Sequence, residues 1–160
     1  MGQARIIEVP AVVPYFGLRP AWISSNRPMV ITTTVGKYEA SDGTVITVPC
    51  GFITDMASTP RAVWSLVPPH GDLILAAIPH DWGYAHGGRE LGLPKGWWDV
   101  LFHDLLVITP KIPRWKVVIA YAAVSLFGRG GWCTGWCDYK PGRIPDWSML
   151  GHPLPNERKE

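Results

Sequence analysis

The residues best placed to do chemistry are an adjacent histidine and aspartate, His80-Asp81, at the end of the apolar run 73–78. A run that builds a core seldom ends in two titratable groups. Neighbours on a helix point about 100° apart, so the pair can border one cleft but cannot aim at one point. His80 and Tyr84 are four apart and stack on one face. A second apolar segment, 97–107, carries Asp99 and His103, also four apart. If the two segments are helices that face each other, His80, Asp81, Asp99 and His103 converge. Asp99 then holds one imidazole nitrogen of His80 and fixes its tautomer, leaving the other nitrogen to act as general base on water. Asp81 remains for a divalent cation (Ca, Mg or Zn), with Asp55 in the preceding loop as the second candidate ligand. Read instead as a metal set, two helices each giving a His and a carboxylate suit zinc, manganese or iron, although the order is not His-Glu-x-x-His. The plain structural alternatives are that His80 caps a core, Asp81 bonds a nearby loop and Asp55 caps a short helix.

Helices must position these groups. Asp72 is a suitable N-cap for a helix over about 73–86, with Gly87-Gly88 ending it. Pro79 lies inside that pattern and predicts a kink or break near His80. Pro94 opens a helix over about 95–108, and Pro113 starts a third, Arg114–Phe127, closed by Gly128. Upstream, residues 29–50 read as β structure. The stretch 29–35 is rich in Val, Ile and Thr, turns follow at Gly36 and at Ser41-Asp42-Gly43, and 44–48 completes a hairpin. The loop 49–60, PCGFITDMASTP, contains Gly51, which permits a positive φ. Its end could cap a short helix over 61–66 that Pro68-Pro69 terminates. Pro10, Pro14, Pro20 and Pro28 make residues 1–28 an irregular arm, with 6–13 as an edge strand at most. Residues 129–160 read as an extended tail. The expected fold is α+β: a small antiparallel hairpin or sheet followed by three helices, forming one globular domain over 29–128 between extended Pro/Gly/Trp-rich arms.

Bulk properties narrow the function classes. The chain has 160 residues, enough for one domain, and 47% of them are hydrophobic, enough for a core. A net charge of +2 gives no electrostatic footprint for nucleic acid, and none is expected as a partner. Nine tryptophans point to interfaces or stacking surfaces. Cys50, Cys133 and Cys137 are an odd set, unlike a secreted disulfide framework, and Cys133-x-x-x-Cys137 lacks the second pair of a zinc ribbon, so reduced thiols are expected. The N-terminus resembles neither a signal peptide nor a myristoylation motif. No apolar run reaches the roughly 18 residues of a transmembrane helix. No Gly-x-Ser-x-Gly elbow and no phosphate-binding glycine loop is present.

One pattern is longer. Val48-Pro49-x-Gly51-Phe52-x-Thr54-Asp55-x-Ala57-Ser58-x-Pro60, then Trp64, Pro68-Pro69, His80-Asp81-x-x-Tyr84, Asp99-x-x-Phe102 and Phe127-Gly128 resembles the phage and prophage domain of unknown function 1353. The resemblance spans about 29–128 and implies a tailed-phage or prophage gene product, without an established reaction. His103 falls outside its motif and drops out of the candidate site. His-Asp-x-x-Tyr facing an Asp on the next helix is also similar to secreted phospholipase A2. That similarity implies His80 as base, Asp81 as calcium ligand, Asp99 as the group orienting His80 and Tyr84 as a supporting hydroxyl. The flanking cysteines and the Tyr-Gly-x-Gly-Gly calcium loop of that enzyme are missing here.

Two functional expectations follow. The leading one, favoured by the arms and the tryptophans, is a virion or tail-assembly protein. It would sit in the tail region or in the cytoplasm of the infected bacterium, with its arms docked on other virion or tail proteins and a His/Asp polar site inside. The alternative is a metal-assisted hydrolase acting on a cell-envelope or lipid substrate, with His80, Asp99 and Tyr84 as catalytic residues.

Overall fold

The structure, a computed structural model, describes residues 2–18, 23, 28–56, 73–128 and 132. The chain runs β1 (Arg5–Glu8), β2 (Val12–Tyr15), β3 (Met29–Thr32), β4 (Gly36–Glu39), β5 (Val45–Val48) and β6 (Ile53–Thr54). It continues through α1 (Ile74–Trp82), a π turn (Gly83–Gly87), α2 (Gly88–Glu90), α3 (Lys95–Ile108) and α4 (Arg114–Phe127). The short helix expected over 61–66, the Asp72 cap, Cys133, Cys137 and, apart from Trp132, the tail 129–160 lie outside the described residues.

The strands form two antiparallel three-stranded sheets, ordered β1-β4-β5 and β2-β3-β6. In the first, side chains alternate as a half-buried sheet requires. Tyr38, Ile46 and Val48 point into the core, while Lys37, Val45 and Thr47 point to solvent. The Asp-Gly signal marks the β4–β5 hairpin. Asp42 accepts from the Thr44 amide at 2.8 Å on one oxygen and from Trp97 Nε1 at 2.8 Å on the other, tying the turn to the start of α3. Those bonds, the Trp97 one foremost, hold the Asp42 carboxyl below the usual carboxylate range.

Three expectations about the strands need correction. Gly36 begins a strand instead of making a turn. A Cβ there would stand 3.0 Å from the Pro10 and Tyr38 rings, so the position is small for reasons of space. The 29–35 stretch also does not pair with its sequel: β3 pairs with β2 and β6, and β4 crosses to the other sheet. Residues 5–15 of the expected arm are likewise two strands. The stretch 6–13 splits at Pro10 into the end of β1 and the start of β2, each at the edge of a different sheet. At an edge, Pro14 in β2 can pair opposite Val30 without donating to the ladder.

The main core lies between the β1-β4-β5 sheet and the helices. Tyr38, Ile46 and Val48 meet Ile78, Trp98, Leu101, Leu105, Val117 and Val124. A smaller cluster of Ile23, Met29, Ile31 and Ile53 seats the second sheet.

The expected helix over 73–86 is longer and less regular than its pattern. α1 passes through Pro79 unbroken, and the departure from α geometry comes four residues later, at the π turn. Gly87-Gly88 does not end the run, because glycine can adopt helical dihedrals when packing favours them. The helical run reaches Glu90, and the left-handed Gly92 (φ +65°) follows it. Gly83 opens the π turn because α3 crosses there: a Cβ would fall 2.1 Å from the buried Trp98 ring. Gly83→Ala is therefore expected to destabilise the fold by about 1–3 kcal/mol through overpacking. Gly96→Ala in α3, where a Cβ meets nothing within 4 Å, should instead stabilise by about 0.5–1 kcal/mol. Urea denaturation of both variants is the check.

Candidate functional site

The site forms where α1 and the π turn face α3, with α4 behind. The register of α3 (Lys95, Asp99, Phe102 and Leu106 at spacings of three and four) turns Asp99 inward with its apolar neighbours. A carboxylate buried that way must be paired. His80 Nε2 lies 3.1 Å from Asp99 Oδ1, and the Tyr84 hydroxyl donates to the same oxygen at 2.6 Å. Lys95 Nζ donates to Oδ2 at 2.6 Å. Lys95 also donates to the Val124 carbonyl at 3.0 Å and the Ser125 carbonyl at 3.4 Å, near the end of α4. The His80 ring stacks on Tyr84 at 4.2 Å and on Phe102 at 4.9 Å between centroids.

The other edge of His80 faces Asp81. Nδ1 stands 3.6 Å from Asp81 Oδ1, beyond hydrogen-bond range. It is buried and has no hydrogen-bond partner among the described residues. Asp81 accepts from the Thr54 hydroxyl at 2.5 Å. Thr54 is delivered by the loop between β5 and β6, which buried Thr32 pins. Thr32 Oγ1 donates to the Pro49 carbonyl at 2.8 Å and accepts from the Phe52 amide at 2.9 Å. Gly51 takes the positive φ its place suggests, +87°. Thr54 Oγ1 also accepts from the Met56 amide at 2.9 Å, beside Met56's own left-handed φ of +53°.

The electrostatics follow from this packing. Burial pushes the His80 imidazole pKa down, but Asp81 and Asp99 on its two sides outweigh burial and raise it above 6.5. Burial raises the Asp99 carboxyl, and the bonds from His80, Lys95 and Tyr84 overcome it, holding the group at about 2. Burial first, and Asp99 second, push the Tyr84 phenol well above its usual value, so it stays a donor.

The structure thus brings His80, Asp81, Tyr84 and Asp99 together. Asp55 follows Thr54 at the end of β6. His103 does not join them: it lies 3.0 Å from Asp104 and packs its ring on Tyr121 of α4. Sharing a face with Asp99 was too coarse a criterion, because α3 contacts α1 on one side and α4 on the other. The residue that sequence reading missed is Lys95. The signal was its i,i+4 spacing to Asp99, hidden because its second set of partners is backbone.

The sequence profile of a family described as protein of unknown function (DUF1353) matches residues 32–124, more than half of the chain. The chain belongs to the DUF1353 family. No curated protein and no solved structure matches it. The DUF1353 region runs from the end of β3 into α4, and takes in Thr54, His80, Asp81, Tyr84, Lys95 and Asp99.

Two outcomes are expected. Asp99 has its pKa lowered from 3.8 to about 2, so its contribution is fully present above pH 4 and is lost as pH falls toward 2. On the order of 2 kcal/mol should disappear over that window, and Asp99→Asn should flatten this part of the acid limb. Denaturant titrations at successive pH values test this. Lys95→Met removes a charge-assisted bond from a buried carboxylate and should cost about 2–3 kcal/mol by the same measurement.

Proposed function

We propose that this DUF1353 chain is a metal-assisted hydrolase with His80 as general base. The observation that supports this reading is the pairing of His80: Nε2 is held by Asp99, while buried Nδ1 makes no hydrogen bond among the described residues. Nδ1 stands 3.6 Å from Asp81 Oδ1, an ion pair when the ring is protonated, so it is the nitrogen of His80 able to take up and release a proton. With Nε2–H donated to Asp99, Nδ1 presents its lone pair. Nδ1 takes a proton from water, the resulting hydroxide adds to an ester carbonyl, and the Nδ1 proton passes to the departing alkoxide. Tyr84 and Lys95 keep Asp99 ionised and in place, so that it can stabilise the imidazolium.

The residues that would hold a cation are the carboxylates Asp81 and Asp55. Among the described residues no group of three His, Cys, Asp or Glu surrounds one point. The donors are oxygens, which suit calcium or magnesium better than zinc. When bound, the cation would polarise the carbonyl under attack. The arrangement of a His-Asp-x-x-Tyr helix against an Asp-bearing helix resembles secreted phospholipase A2, which favours a lipid or other cell-envelope ester as substrate.

A second reading is a phage virion or tail-assembly component whose polar cluster is structural. It draws support from burial: His80 is 0% and Asp99 3% exposed. The two readings separate on one experiment. The purified chain is assayed on short-chain esters and phospholipid vesicles with calcium, magnesium or zinc. As a hydrolase, His80→Gln should fold and lose roughly 10²–10⁴-fold in rate, and Asp81→Asn should lose the dependence on the cation. Absence of turnover under every condition, together with a large loss of stability in His80→Gln, would leave the structural reading standing.

A further inference from the structure

α4 is apolar on both faces. Its inward side, Val117, Ala120, Ala123 and Val124, is buried in the core. On its outward side Trp115 is 51%, Val118 64%, Leu126 70% and Phe127 67% exposed. At 100° per residue Trp115, Val118, Ala122 and Leu126 fall within an arc of about 80°. That is a continuous stripe along the helix and not scattered surface residues. A surface helix ordinarily turns polar residues outward. Such a stripe marks a docking face.

The charges beside it indicate what docks. Arg114 and Lys116 lie in the first turn of the helix, and Lys116 Nζ lies 5.5 Å from the Trp115 ring. From Thr109 to Gly128 there is no Asp or Glu. A second copy presenting the same helix brings no acid of α4 to answer those cations. A bilayer with anionic headgroups does, and it also accepts an apolar stripe edged by a tryptophan at the headgroup level. We propose that the outer face of α4 docks the protein flat on an anionic lipid surface. The inference stands on α4 alone and does not depend on the role of His80.

The full chain is sedimented with vesicles of phosphatidylglycerol and phosphatidylcholine, and with phosphatidylcholine alone, at low and high salt. Binding is expected to the anionic vesicles and to weaken with salt. Arg114→Glu/Lys116→Glu should lower it at least tenfold, since each cation near an anionic surface contributes about 1 kcal/mol, or roughly fivefold. Trp115→Ser/Leu126→Ser should lower it at both salt concentrations while leaving the circular dichroism unchanged. His80→Gln should bind as the unsubstituted chain does, so loss of hydrolysis and loss of docking are told apart. Failure of the unsubstituted chain to bind either vesicle overturns the proposal. So does anionic binding that neither double variant weakens. Self-association in sedimentation equilibrium that Trp115→Ser/Leu126→Ser abolishes, without vesicle binding, overturns it in favour of a contact between copies.

Discussion

A carboxylate held in the core at Asp99 is the constraint on which the helical half of this protein depends. An unpaired buried charge costs several kcal/mol, so the fold has to bring donors to it from every side. His80 and Tyr84 arrive from the α1 and π-turn run, and Lys95 from one turn earlier on α3. Lys95 is in turn held by carbonyls of α4. One aspartate therefore ties three helical elements together at a single point. Loss of any one donor leaves the buried charge to the remaining two, which makes the network cooperative and not a sum of separate bonds.

The glycines around this point belong to the same requirement. At Gly83 the missing Cβ lets the Trp98 ring close against the π turn, which brings α3 near enough for its aspartate to reach His80. At Gly128 a Cβ would stand 2.5 Å from the Tyr84 hydroxyl, so the end of α4 is cleared for the phenol that bonds Asp99. π turns recur where a helix must re-aim side chains at a functional site. Here the turn begins two residues after Asp81 and contains Tyr84.

The sheets reach the same place by another route. Thr32, at the end of β3, gathers the loop that follows β5 and fixes where β6 begins. Thr54 then bonds Asp81. The two carboxylates flanking His80 are thereby anchored from opposite halves of the molecule, Asp81 from the sheet side and Asp99 from the helices. That leaves the imidazole with one nitrogen engaged and the other facing Asp81.

Much of this was legible in one dimension because it rests on local physics. The hairpin strand over 44–48, the Asp-Gly turn, proline starts for α3 and α4, and the i,i+4 relation of His80 to Tyr84 are all set within a few residues along the chain. The α+β class and the pairing of His80 with Asp99 follow from those patterns. What the chain could not declare by itself depends on contacts between distant segments. Pro10 cuts a strand into two that join different sheets. Gly36 is small because rings from elsewhere crowd it. The π turn answers Trp98, and Lys95 finds its role only when the carbonyls of α4 arrive beside it. Local spacing determines which groups share a face. Only tertiary packing decides which neighbour that face meets, because burial of charge is resolved by whichever donors the whole fold brings within reach.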